Sequence, residues 1–97
     1  MRTREEYVDT LKKQLDRWNE DVSRWEAQAR SAQADIKESY EEQLKILGER
    51  REEARYNLRL LRGASASAWS DLQSGTDEAW TKMREAVDRA RAHFEKK

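Results

Sequence analysis

The side chains in this sequence that could do chemistry are carboxylates, and several come as neighbours, such as Glu5 with Glu6 and Glu52 with Glu53. General acid–base catalysis needs two such groups held together in a dry pocket with their pKa values pushed apart. Consecutive helical residues diverge around the helix, so these pairs read as solvated faces rather than catalytic dyads. His93 is the one histidine. It stands in a basic end with Arg89, Arg91, Lys96 and Lys97 and has no Glu-x-x-His spacing, so a di-iron site of the four-helix type lacks its ligands. Cysteine is absent, which removes disulfides and thiolate metal sites. There is no Gly-rich phosphate loop and no Ser, His, Asp grouping. The residues therefore predict no enzyme, no cofactor, no metal and no small-molecule substrate.

The charge balance bounds the partners. Twenty basic and twenty acidic residues are interspersed to a net charge of zero, so no basic face runs along the chain to neutralise phosphates, and nucleic acid is not expected. The basic C-terminal cluster is read as complementing the negative end of a helix dipole. The opening "MRTREEYVDT" lacks the apolar run of a signal peptide, and nothing approaches the roughly 20 apolar residues of a membrane span, which makes the cytoplasm the expected location.

The elements that would position these residues are helices. Of 97 residues 41% are charged and 36% apolar, and 12 of the apolar ones are alanine, which leaves a thin core. There is no proline and only three glycines, the composition of long helices and coiled coils. Zero net charge and seven Trp and Tyr residues argue against disorder.

Apolar positions fall at Val8, Leu11, Leu15, Trp18, Val22, Trp25, Ala29, Ala32 and Ile36, an alternation of threes and fours that marks a coiled-coil seam. Within it "LDRW" and "VSRW" form one repeat and set both indoles on one side. From Ile36 the spacing becomes four and four, through Tyr40 to Leu44, a stutter that unwinds a supercoil without ending its helix. The seam resumes at Leu47, Arg51, Ala54, Leu58 and Leu61, widened by Ile46, Tyr56 and Leu60. "GERREEAR" shows no turn chemistry, so the helix is expected to continue past Gly48.

"RGASASAWS" breaks the pattern. Gly63 is a plausible stop and Ser65 or Ser67 a plausible N-cap. Beyond it the period is 11: Ala68, Ala79 and Ala90 recur, as do Leu72, Met83 and Phe94, with Trp69 matching Trp80. The repeat stays in phase across Gly75, which favours one helix over a break in "LQSGTDEAW".

"REEYVDTLKKQLDRWNEDVSRWEAQA" and, after the charged middle, "AWSDLQSGTDEAWTKM" resemble a family of small bacterial coiled-coil proteins, one branch of which is described as stress-response proteins. The Ala-Trp pairs at Trp69 and Trp80 and "QLDRWN" around Trp18 carry the likeness most specifically. Trp25 departs from it, since an aliphatic residue is usual there. The resemblance implies a cytoplasmic helical protein and no catalytic or ligand residue.

These readings combine into an all-α fold, a single coiled-coil domain over residues 1–97. A long helix of about 3–61, a turn of about 62–66 and a shorter antiparallel helix of about 67–95 would form a helical hairpin. The long helix would run about 88 Å and the short one about 44 Å. Folded back, the short helix would reach only the second seam and leave Leu11, Leu15, Trp18, Val22 and Trp25 facing water. Another chain is the expected cover, as a homo-oligomer, with an antiparallel dimer favoured. The expected interface takes Leu11, Leu15, Trp18, Val22, Trp25 and Ile36 from the first seam. Tyr40, Leu44, Leu47, Leu58 and Leu61 come from the second, and Trp69, Leu72, Trp80, Met83, Val87 and Phe94 from the short helix. The function expected is a self-associating structural or interaction protein. Its rival is an amphipathic-helix protein on a membrane or lipid surface, weighed down by the acids flanking Trp69 and Trp80.

Overall fold

The computed structural model describes residues 3–95, of which 88% are helical, with no strand among them. Three helices follow in order: α1 (Arg4–Arg30), α2 (Ala34–Arg62) and α3 (Trp69–Phe94). They run up, down and up, as a three-helix bundle measuring 51 × 19 × 17 Å.

α1 starts where the sequence supplies a cap. The Thr3 hydroxyl accepts from the Glu6 amide at 3.1 Å, and Glu5 and Glu6 place negative charge in the first turn. Its end corrects the expected helix of 3–61. The chain turns at residues 31–33: the Ser31 amide donates to Gln28 O, the Ala32 amide to Ala29 O, and Gln33 is extended at φ −70° and ψ 154°. Its carbonyl then accepts from the Ile36 and Lys37 amides to start α2.

Burial explains why the helix breaks without glycine or proline. Folding α1 back covers Leu11, Leu15, Trp18, Val22 and Trp25, and each such side chain contributes about 1.5–3 kcal/mol. Interrupting a helix gives up three or four backbone hydrogen bonds worth about 0.5–1.5 kcal/mol each. The burial is the larger quantity. A straight 88 Å helix would also exceed the 51 Å long axis of the bundle.

The second turn matches its sequence signal more closely. α2 ends at Arg62, and Gly63 caps it with φ −95°, so no left-handed conformation is involved. Ser65 begins the return: its carbonyl accepts from the Ala68 and Trp69 amides and its hydroxyl accepts from the Ala68 amide at 3.3 Å. α2 runs unbroken through Gly48 and α3 through Gly75.

Residue size sets the spacing between helices. The backbones of α2 and α3 approach most closely, and the small residues Ala54 of α2 and Ala79, Ala86 and Ala90 of α3 are all part of the core. A Cβ at Gly75 would lie 3.5 Å from Asn57 Oδ1. α1 stands further off, held by aromatic rings: Trp18 and Trp80 centroids are 6.4 Å apart, and Trp25 stacks on Phe94 at 5.5 Å.

Candidate interaction surface

Sixteen of the seventeen expected interface residues lie in this bundle's own core or against it. Leu11, Leu15, Trp18, Val22, Trp25, Leu47, Leu58, Leu61, Trp80, Met83, Val87 and Phe94 are buried, and Tyr40, Leu44, Trp69 and Leu72 pack half-buried beside them. The exception is Ile36, 43% exposed at the start of α2. The turn at 31–33 moves it out of line with the α1 stripe it was read with. Trp18 and Trp25, expected to be covered by a second chain, are covered by α3 of the same chain.

Polar groups close the bundle at both ends. At one end Asp21 accepts from Arg24 and from Arg91, both at 2.9 Å, tying α1 to α3. Glu95 accepts from Arg24 at 3.0 Å and from the Trp25 indole at 3.1 Å, while Gln28 donates to Phe94 O at 2.8 Å. Tyr40 of α2 stacks on Phe94 with centroids 4.2 Å apart. At the other end Arg4 donates to Ala64 O at 2.8 Å and lies 4.2 Å over the Trp69 ring. Tyr7 meets Trp69 edge-on and donates its hydroxyl to Asp77. Burial, and then the hydrogen bond and charge of Asp77, hold the Tyr7 phenol well above the usual tyrosine range.

Sequence reasoning missed Asp21 and Tyr7. Asp21 stands beside seam residue Val22 with Arg24 three positions on, a local pair with nothing to indicate Arg91. Thr76 was missed as well; it is fully buried because its hydroxyl donates to Leu72 O at 2.7 Å within its own helix. His93 is exposed on α3. Among the described residues no three His, Asp or Glu side chains are grouped to hold a metal ion. No helix of theirs is long and apolar enough to cross a membrane.

What remains for contact is surface. Among the described residues the exposed large hydrophobic ones, Ile36, Tyr56 and Leu60, all belong to α2. Two shallow grooves open where α2 meets the second turn. One, against α1, is lined by Val8, Leu61 and Trp69 with the bases Arg4, Lys12 and Arg62 and the acids Glu5 and Asp9; the other is lined by Arg55, Leu58, Arg59 and Arg62. No family model, curated protein or solved structure matches the sequence.

Proposed function

We propose that this chain is a non-catalytic helical interaction protein that associates with copies of itself. The observation that carries the reading is the position of the exposed large hydrophobic residues, which among the described residues are three and all on α2. The large apolar side chains of α1 and α3 are spent on the intrachain core, so apolar contact falls to α2. The Leu11 to Trp25 stripe no longer calls for a second chain, and the association is therefore between folded bundles rather than part of folding. The resemblance to small bacterial coiled-coil proteins adds a cytoplasmic, stress-related role to the proposal.

Mass in solution tests it. Sedimentation across a wide concentration range should show reversible growth from monomer to dimer at low salt. A monomer at every concentration would overturn the reading.

A second reading rests on a separate observation. Residues 54–70 contain no Asp or Glu, in a chain with twenty, and they bring Arg55, Arg59, Arg62, Tyr56, Leu60 and Trp69 towards one end of the bundle. A basic, aromatic segment of this kind suits an anionic lipid surface, against which Glu5, Asp9 and Asp71 at the same end of the bundle count. Binding to phosphatidylserine vesicles with a blue shift of tryptophan fluorescence, and its absence with phosphatidylcholine alone, would support the lipid reading. No change with either would remove it.

A further inference from the structure

We infer that two copies of the chain join through α2, antiparallel and crossing at Gly48; this rests on the self-association reading above. Gly48 is the first observation. It lies mid-helix without positive φ, and a Cβ added there would meet nothing within 4 Å. Glycine weakens a helix interior relative to alanine, and neither a turn nor an intrachain contact asks for it. Close approach of another backbone does.

Spacing is the second observation. Glu38, Glu41, Lys45, Gly48, Glu52, Arg55 and Arg59 follow one another by threes and fours, a single stripe along α2. All but Gly48 are exposed, and Gly48 is the middle member. Glu38, Glu41, Lys45 and Arg59 make no ion pair among the described residues, while Arg55 has only the exposed Glu52 at 3.3 Å.

Charge chooses the occupant and its direction. Before Gly48, α2 carries Asp35, Glu38, Glu41 and Glu42 against Lys37 and Lys45. After it, α2 carries Arg50, Arg51, Arg55, Arg59 and Arg62 against Glu49, Glu52 and Glu53. A parallel copy would set like charges level. An antiparallel copy crossing at Gly48 sets Glu38 and Glu41 level with Arg59 and Arg55, and Lys45 level with Glu52, each twice by symmetry. Tyr56 and Leu60 flank the stripe and add apolar area.

The helix dipole also favours acids at the N-terminus and bases at the C-terminus of α2. Its effect fades within the first and last turns. Glu41, Glu42, Arg50, Arg51 and Arg55 lie deeper than that, and the dipole gives Gly48 no role. With a mainly charged seam, the contact is weak and salt-sensitive.

Cysteine crosslinking of the full chain, which has no native cysteine, tests the geometry beside sedimentation of the unaltered protein. Gly48→Leu should weaken the dimer, because a bulky side chain would hold the two backbones apart. Glu41→Cys and Arg55→Cys should link to each other when mixed and neither to itself, since like positions lie about 21 Å apart along the helix. As a second arm, Arg55→Glu with Arg59→Glu should weaken the dimer at least about tenfold. Glu38→Arg with Glu41→Arg should do the same, and mixing the two variants should restore it. If the unaltered chain stays monomeric, the self-association reading itself falls. If it dimerises but Glu41→Cys links to itself, or Gly48→Leu leaves the dimer as strong as before, the dimer stands and the antiparallel α2 pairing crossing at Gly48 is overturned.

Discussion

Replacing Trp25 by alanine separates a stripe buried within the chain from one buried between chains. The indole is fully buried, stacks on Phe94 with an interplanar angle of 10°, and lies under Arg91, whose guanidinium is 5.5 Å from the ring centroid. Its Nε1 donates to Glu95 Oε2, but Glu95 keeps Arg24 and Arg91 when the indole is gone, so no charge is stranded. The loss is therefore the transfer and cavity terms of a buried aromatic, about 3–5 kcal/mol. At about 4–8 °C per kcal/mol for a domain of this size, the melting temperature should fall by about 12–40 °C. Against a total stability of about 5–15 kcal/mol that is a large share. Thermal melts by circular dichroism at several protein concentrations are the assay. The shift should appear at every concentration, in the monomer. A change below about 1 kcal/mol, or one that disappears at low concentration, would refute the intrachain placement of Trp25.

Two further outcomes follow from the ends of the bundle. An absorbance titration should show one tyrosine ionising above the ordinary value of about 10, and Tyr7→Phe should remove that late step. The folded state favours the neutral Tyr7 phenol, so its contribution to stability is complete below pH of about 10 and declines as pH rises from there towards the folded-state pKa. Asp21→Asn should destabilise the chain by about 1–2 kcal/mol, towards the low end for charge-assisted hydrogen bonds because Arg24 and Arg91 are half-exposed. The difference should shrink in high salt, and a difference unchanged by salt would count against the ion-pair account.

The helical class and the apolar faces were legible because periodicity reports them directly. The threes and fours from Leu11 to Trp25 are the buried face of α1, and the 11-residue repeat supplies Ala79, Trp80, Met83, Ala90 and Phe94 to the core. The turn after Ser65 had Gly63 and a serine-rich segment to announce it. The turn at 31–33 had no such signal: "RSAQAD" contains neither glycine nor proline, and the Gln33 side chain caps nothing. Its cause is long-range, the burial of α1 against α3, which local propensity does not contain. The stutter from Ile36 to Leu44 was its trace, a register change that belongs to the next helix rather than to an unwound coil. A stripe's pattern shows that it must be covered without showing by what. The same gap hid the union of Asp21 with Arg91, seventy residues apart.

Small-angle X-ray scattering from the monomeric species, isolated at low concentration and high salt, tests whether the chain closes on itself as an up-down-up bundle of three helices. The account predicts a radius of gyration close to the 15.4 Å of the Cα trace and a longest dimension near the 51 Å axis of the bundle. A longest dimension approaching the roughly 88 Å of one unbroken helix over residues 3–61 would contradict it.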